Sequence, residues 1–423
     1  MLTVLCGIII NFPYHNFQNF LSQGDHGRDL YAAQAVLRGE LPYKDFWWVY
    51  GPLMPFYYGA FFKAFGVAIT SILLGKIILN ILAGAFFYLG LAAVLPLWAA
   101  FLGGLWLMTF HQDFFFTYNH AGGIALLLFC VWMHLGYLKS ARLRFAFGAL
   151  AGVFILGLIK INFALTALGM SLVVVTVKDL IDKRNLDLNK KIWVSLVIIG
   201  LPLAWFAIYA YFLNGLSIAE IRQCLPYLGG DEPYNNLGPL QTIPVLMKTI
   251  WASITASTID KALCAIILVS ILGTAFLMWK KKLSREQLSL VWLLLAYSSL
   301  FYLVNLHEFL KSGVFYRVFW SQPFSILLCV ILVSTGMSLL PRFFKIILLG
   351  SLMAVAMLVN YNSWQRVNDF KNPQHFLGGA RSGIYITNDR SWIQTVVFTT
   401  KQLNSNFKKD ELLNLLQNCG FNK

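Results

Sequence analysis

The sequence predicts an all-α protein that crosses a membrane about eleven times. Only 12% of its residues are charged and 58% are hydrophobic, whereas about 25% of the residues in soluble domains are charged. The mean hydropathy is +0.66, and apolar runs long enough to cross a bilayer recur along the whole chain. A chain of this composition needs lipid as part of its solvent.

The predicted spans are a short first segment and ten later apolar runs. The first segment, MLTVLCGIIINF, is shorter than the roughly 20 residues that a span needs. Either its helix continues through Pro13 to about Leu21, or further residues precede it. It has neither the basic start nor the small-residue cleavage site of a secretory signal, which indicates an uncleaved span. The later runs are 71–95, 97–112, 121–138, 145–160, 162–177, 192–213, 262–279, 288–306, 321–338 and 343–361.

Basic residues predict which loops face the cytoplasm. Many of the 33 Lys and Arg residues lie in alternate loops, and the positive-inside rule makes those loops cytoplasmic. They are the loops at 139–144, 178–191, 280–285 and 342–345. The remaining loops are then extracytoplasmic: 13–70, 111–120, 214–260, 305–320 and the tail after Tyr361. The net charge of +15 thus reflects orientation. No basic stripe with interleaved aromatics stands outside the membrane part, which argues against nucleic-acid binding.

One apolar segment decides whether this topology holds. GPLMPFYYGAFFKAF, from Gly51 to Phe65, is too short to span and contains Pro52, Pro55 and Lys63. We interpret it as a helix that lies in the outer interface, where aromatic residues are common. The polar stretch before it is then extracytoplasmic.

The chain divides into a transmembrane part, 1–361, and a small extracytoplasmic tail, 362–423. In the tail, GIYIT predicts a short strand, and residues 390–402 and KKDELLNLLQ predict helices. About sixty residues form a marginal core, so the tail is expected to lean on the membrane part. The six cysteines include no CxxC pair, which indicates neither a disulfide framework nor a zinc site.

The stretch SQGDHGRDLYAAQAVLRGELPYKDFWWVYGPL, 22–53, concentrates charged and aromatic residues in the first outer loop. Residues 26–38 predict a short helix, with Asp25 before it as N-cap and Gly39 after it at the C′ position. Helix capping and an interfacial aromatic belt at 47–50 would by themselves explain these residues. A functional role is the alternative.

Several short features follow one another in this loop. They are an acidic residue soon after the first span, a short helix, a Gly-Glu turn, an aromatic stretch, GPL, and an apolar helix that ends in Phe-Gly. The residues are Asp25, Tyr31, Leu37, Gly39, Tyr50, Gly51, Pro52, Leu53, Phe65 and Gly66. Their order and sidedness resemble the GT-C membrane glycosyltransferases. The most similar members are the bacterial proteins like dolichyl-phosphate-mannose protein mannosyltransferases and lipid A aminoarabinose transferase. Weaker matches elsewhere are GLIKINF, Tyr316-Arg317 before Gln322-Pro323, and GIYIT.

The resemblance implies a GT-C-like helical bundle and an inverting sugar transfer on the outer membrane face. An acceptor would attack the anomeric carbon of a sugar carried on polyprenyl phosphate, and polyprenyl phosphate would leave. This chemistry needs a carboxylate base, cations near the phosphate and a groove between helices for the isoprenoid. The sugar and the acceptor, which is a lipid, a polysaccharide or a protein, stay open. No cofactor is firmly implied.

The resemblance makes Asp25 the general base. The family's acidic pair is usually Asp-Glu, whereas His26 follows Asp25 here, so His26 or Asp29 is the candidate for the second group. Lys160, which interrupts an apolar run at an outer turn, is the first candidate for binding the donor phosphate. Arg317 is the second, because arginine binds phosphate oxygens in a fork. The alternative for both cations is anchoring at the interface.

Further outer-loop residues are candidates for contact with the sugar or the acceptor: Tyr50, His111, Asp113, His120 and His307. The spacing of His111, Asp113 and His120 fits no standard metal site. A divalent metal is therefore possible but not expected.

Two other functions compete with this interpretation. A transporter or flippase of lipid-linked saccharides would have inverted repeats and charges near mid-membrane, whereas the polar residues here lie mostly at outer helix ends. A polysaccharide polymerase or ligase would place its basic residues in a large late outer loop, whereas the richest loop here comes first. The pattern favours an interfacial enzyme.

Overall fold

The computed structural model describes residues 25–110, 118–182 and 188–224, together with residues 4–5 and scattered positions between 244 and 385. Regular structure in these residues is α-helical apart from two short strands, which confirms the predicted helical class. The helices are α1 Asp25–Leu37, α2 Leu53–Phe65, α3 Ile69–Val94, α4 Leu97–Phe110, α5 Tyr118–Ser140, α6 Leu143–Gly157, α7 Ile161–Asp182, α8 Leu188–Leu213 and α9 Ile218–Cys224. In the tail, strand β1 Phe376–Leu377 pairs antiparallel with strand β2 Ile384–Tyr385, which confirms a strand within GIYIT.

Apolar helices lie where the sequence predicts spans in this part of the chain. Each apolar run predicted between 71 and 213 falls on a helix. Among the described residues, three helices are long and apolar enough to cross a membrane, at Ser71–Val94, Asn119–Ser140 and Ser195–Leu213. Leu143–Gly157 and Ile161–Val174 are shorter apolar helices. The chain is therefore a multi-pass membrane protein. Most of the first predicted span, most of the four after residue 262 and the predicted helices of the tail lie outside the described residues.

Helix α1 ends with the signal that the sequence predicts. Gly39 has a φ of 85°, a left-handed conformation that glycine adopts without steric cost. Its N–H donates to Val36 O at 3.1 Å, and the Glu40 N–H donates to Ala35 O at 3.2 Å. These two bonds form a Schellman motif, which satisfies carbonyls that the helix end would otherwise leave unpaired.

Helix α2 is the apolar segment that was predicted not to span. Its 13 residues cover about 20 Å, less than the roughly 30 Å of a hydrocarbon core. It packs between α1 and the start of α3, where the Tyr57 hydroxyl donates to Gly75 O at 3.0 Å. The structure thus agrees with the prediction that this segment forms a helix too short to span the membrane.

A second, smaller core forms outside the main bundle, where α1, the loop 38–52 and the end of α8 meet. Its buried residues are Ala32, Ala35, Tyr43, Phe46, Trp48 and Cys224. Trp48 is only 1% exposed, whereas the neighbouring Trp47 is exposed. The interpretation of Trp48 as part of an interfacial aromatic belt is therefore wrong, because its ring is buried inside this core.

A backbone pairing fastens this outer part to the bundle. The Gly51 N–H donates to Ile159 O at 2.9 Å, and the Leu53 N–H donates to Leu158 O at 2.9 Å. We call this pairing of residues 51–53 with 158–159 the clamp. A Cβ atom on Gly51 would lie 2.1 Å from Leu158 O, so only glycine allows the two backbones to approach this closely. The Trp48 indole N–H donates to Gly51 O at 2.9 Å and closes the loop onto the clamp.

The clamp lies at one end of the bundle, where α5 and α7 begin and α6 and α8 end. There the Tyr209 hydroxyl of α8 donates to Gly157 O at 3.0 Å. The Tyr43 ring lies 6.2 Å from that of Tyr209 and 6.3 Å from that of Phe212, between centroids. The basic connection 139–144 joins α5 to α6 at the opposite end. The loop 38–52 and this basic connection therefore lie at opposite ends of the helical bundle. The charge pattern predicts the same separation.

A buried polar network joins the bundle to the predicted span 288–306. His134 Nδ1 lies 2.5 Å from the Tyr297 hydroxyl, and His134 Nε2 lies 2.9 Å from the Ser171 hydroxyl. Ser171 also donates to Ala167 O at 2.9 Å. Hydrogen bonding satisfies polar groups for which a membrane interior offers no water, so the network links α5, α7 and a later helix.

Replacing Gly51 with alanine tests the clamp. The added Cβ would overlap Leu158 O, and the clamp must open or shift. We expect a loss of about 1–3 kcal/mol in unfolding free energy, as for overpacking elsewhere, seen as a lower Tm in detergent. Gly200→Ala is the control, because a Cβ there meets no atom within 4 Å. Equal Tm values for both variants would contradict the proposed role of the clamp.

Candidate functional site at the clamped end of the bundle

Lys160 occupies the turn between α6 and α7, directly after the clamp. Its N–H donates to Leu156 O at 2.8 Å, and its carbonyl accepts from the Ala164 N–H at 3.1 Å. The residue therefore belongs to the end of one helix and to the start of the next. Its side chain is only 3% exposed. A lysine that snorkels to the interface keeps its ammonium in water, so that alternative does not describe Lys160.

The Lys160 ammonium is surrounded by aromatic groups. Its Nζ lies 3.0 Å from His120 Nε2, 5.5 Å from the ring centroid of Tyr50 and 5.1 Å from that of Phe163. Aromatic faces attract a cation, and more strongly when water is excluded. An ammonium can only donate, so the contact requires His120 to be neutral, with its proton on Nδ1. The Tyr50 and Phe163 rings can stabilise a cation at this position.

Tyr50 connects this lysine to helix α1. Its ring centroid lies 5.6 Å from that of His120 and 5.8 Å from that of Trp48. The guanidinium carbon of Arg28 lies 4.9 Å from the same ring centroid. Tyr50 immediately precedes the clamp and Lys160 immediately follows it, so the backbone pairing brings the two side chains together.

Arg28 and Asp29 form an ion pair beside Tyr50. Arg28 Nη2 lies 3.0 Å and Nε lies 3.2 Å from Asp29 Oδ1, and Asp29 is only 3% exposed. A buried carboxylate requires such a partner. Sequence reasoning gave Arg28 no function. Its spacing of three residues from Asp25, which puts both positions on the same side of a helix, is the signal that could have identified it.

Backbone strain supports the position of Tyr50. Tyr43 has a φ of 70°, a region that non-glycine residues rarely adopt and that costs about 1–3 kcal/mol. Its hydroxyl donates to Tyr50 O, and its N–H donates to Phe46 O at 3.0 Å. Burial raises the pKa of the Tyr43 phenol well above its ordinary value, so it stays a neutral donor. Strained backbone of this kind clusters at functional sites.

Asp25 begins helix α1, one turn before Arg28 and Asp29. The predicted N-cap is thus the first helical residue, and His26 is the second. The side chains of Asp25 and His26 lie outside the described residues. So do four predicted site residues in full, namely Arg317, His111, Asp113 and His307.

The structure therefore brings together four of the predicted residues: Tyr50, His120, Lys160 and, through Arg28, Asp29. The charged side chains described around Tyr50 include those of Arg28, Lys160 and Asp29, and ammonium and guanidinium groups can bind an anionic ligand. Among the residues with described side chains, no group of three or more His, Cys, Asp and Glu could hold a metal ion. The arrangement can bind an anion at the boundary of the membrane bundle.

Comparisons with known proteins were made against family models, curated proteins and solved structures. No family model matches the chain, and no curated protein matches it. Among solved structures, the chain is similar to ArnT from Cupriavidus metallidurans in the apo state. The TM-score is 0.38 and the sequence identity 12%, over 79% of this chain and 76% of that chain.

Replacing Tyr43 with phenylalanine tests the support of the site. The change removes the hydrogen bond to Tyr50 O and leaves a part-buried carbonyl without this donor. We expect a loss of about 1–3 kcal/mol in unfolding free energy, measured as a lower Tm in detergent. Tyr211→Phe is the matched control. Because Tyr211 is 68% exposed, this substitution should leave Tm unchanged. A Tyr43→Phe variant as stable as this control would contradict the assigned role.

Proposed function

We propose that this protein is an integral-membrane glycosyltransferase of the GT-C kind, which transfers a sugar from a polyprenyl-phosphate donor to an acceptor. The observation that carries the proposal is Lys160, a buried cation held by His120 and Tyr50 at one end of a membrane bundle. Ionisable residues inside membrane bundles are costly, and they mark substrate or ion sites. The motif order of the first outer loop supports the same family.

The donor would place its phosphate beside Lys160 and its isoprenoid chain between helices or in lipid. The phosphate of a lipid-linked sugar lies at the boundary between hydrocarbon and water, and Lys160 occupies the end of two apolar helices. The ammonium would stabilise the negative charge that grows on the phosphate as the sugar leaves. Arg317 is the proposed second contact to the phosphate.

Asp25 is the proposed general base. It begins α1 one turn before Arg28, whose guanidinium faces the Tyr50 ring. The acceptor hydroxyl or amine would give its proton to the Asp25 carboxylate as its lone pair forms the bond to the anomeric carbon. The bond between that carbon and the phosphate oxygen breaks, and its electrons stay on the phosphate. Attack from the opposite face inverts the anomeric configuration.

The proposed orientation puts the loop 13–70 and the tail 362–423 on the extracytoplasmic side of the cytoplasmic membrane. The basic connection 139–144, at the end opposite the clamp, supports it through the positive-inside rule. A lipid, a cell-envelope polysaccharide or a protein would be the acceptor there. Transfer assays with undecaprenyl phosphates that carry different hexoses and pentoses, read by product mass, would identify the sugar.

Replacing Asp25 with asparagine tests the base. We expect turnover in proteoliposomes to fall by about 10²–10⁴-fold, the usual contribution of a positioned base, with expression and Tm unchanged. Asp45→Asn is the control. Asp45 is exposed in the same loop, and its carboxylate accepts a hydrogen bond from the Leu41 N–H at 2.8 Å. Wild-type turnover by Asp25→Asn would exclude Asp25 as the base.

Replacing Lys160 with methionine tests the phosphate contact. Methionine keeps the length of the side chain and removes the charge, so we expect binding of undecaprenyl phosphate to weaken by about 10-fold or more. Lys63→Met, at an exposed position of α2, should bind as the wild type does. A flippase would instead move the intact lipid-linked sugar between leaflets, and an assay for release of undecaprenyl phosphate separates the two activities.

A further inference from the structure

Asn119 is a buried polar side chain that the proposed mechanism does not use. It is 1% exposed, and in the part of the chain that the structure describes neither its amide nitrogen nor its amide oxygen has a hydrogen-bond partner. Most buried side-chain polar atoms in proteins are hydrogen-bonded. An amide with both atoms unsatisfied destabilises the ligand-free protein and needs an explanation.

The position of Asn119 places it beside the phosphate site. It lies in the first turn of α5 and immediately precedes His120, which contacts Lys160. Gly123 is one turn further along the same face, and a Cβ there would lie 3.0 Å from the Phe163 ring and 3.7 Å from Lys160 Cβ. Side chains on a helix lean towards its N-terminus. Asn119 therefore lies on the face of α5 that packs on the start of α7, one helical turn from Gly123 and directly before His120, two positions of α5 that approach Lys160.

The chemistry of an amide narrows the kind of ligand. Its NH₂ group donates two hydrogen bonds and its oxygen accepts. A phosphate only accepts, so it would satisfy the nitrogen and leave the oxygen unpaired. A group that carries hydroxyls both donates and accepts, and it would satisfy both atoms. The amide is thus matched to a sugar, while the neighbouring Lys160 ammonium is matched to an anion.

We propose that the Asn119 amide forms hydrogen bonds with hydroxyl groups of the donor sugar and so determines which sugar the enzyme accepts. This inference rests on the proposed function, because Lys160 must hold the phosphate to which the sugar is attached. A site that hydrogen-bonds a hydroxyl rejects an analogue that lacks it, since the buried amide is then left unpaired. Asn119 would therefore favour the sugar-bearing lipid over undecaprenyl phosphate.

Replacing Asn119 with leucine tests the inference, because leucine has nearly the same shape and no polar atoms. The full-length protein in lipid nanodiscs would be titrated with undecaprenyl phosphate and with the undecaprenyl-phosphate hexoses and pentoses of the panel above. We expect the variant to have a higher Tm without ligand, since no unsatisfied amide is buried. Its affinity for undecaprenyl phosphate should stay unchanged. Its affinity for the preferred sugar-bearing lipid should fall by about 10-fold, as for loss of one or two hydrogen bonds.

Two further variants complete the design. Asn119→Ala should show the same loss of sugar preference if the leucine variant does not fold. Asn214→Ala, at an exposed position just after α8, should leave Tm and both affinities unchanged.

The outcomes separate this inference from the proposed function. If the wild type prefers the sugar-bearing lipid and both Asn119 variants keep that preference, Asn119 has a structural role or binds internal water, and the inference is overturned. If the wild type binds undecaprenyl phosphate and the sugar-bearing lipid equally well, the inference is overturned, whereas the proposed phosphate site is not contradicted. A wild type that binds neither lipid overturns the proposed function and this inference together.

Discussion

The clamp between residues 51–53 and 158–159 is the interaction on which the rest of the site depends. Two backbone hydrogen bonds hold the first outer loop against the turn between two membrane helices. Because Tyr50 precedes this pairing and Lys160 follows it, their side chains meet although the residues are distant in sequence. The pairing exists only because position 51 has no Cβ. A single glycine thus allows the first outer loop to pack closely against the turn that carries Lys160.

Several energetically unfavourable features lie at this end of the bundle. Tyr43 is held at a positive φ, Lys160 is a buried cation, and the buried amide of Asn119 is unsatisfied. The small outer core around Trp48 supplies the packing that keeps such features in place. Elsewhere in the described bundle, the polar network of His134 joins neighbouring helices.

Sequence reasoning predicted some of the site and missed the rest for identifiable reasons. It selected Lys160 because a cation interrupts an apolar run at an outer turn, and His120 because it lies in a polar outer loop. Tyr50 was selected as one of the residues that resemble the GT-C family. It missed Arg28, whose importance comes from its contact with Tyr50, and Asn119, whose importance comes from its burial. An asparagine at a helix start is common in sequences, and only packing reveals that its amide has no partner.

By itself, the sequence determined the membrane class, the helices between 71 and 213, the short helix after Gly51 and the end of α1 at Gly39. These features follow from local physics, because a bilayer requires each spanning helix to satisfy its own backbone and a left-handed turn favours glycine. Only the tertiary structure decided which segments meet at the clamp and which aromatic rings are buried. The clamp joins residues more than a hundred positions apart, and one sequence carries no periodic signal for such pairs.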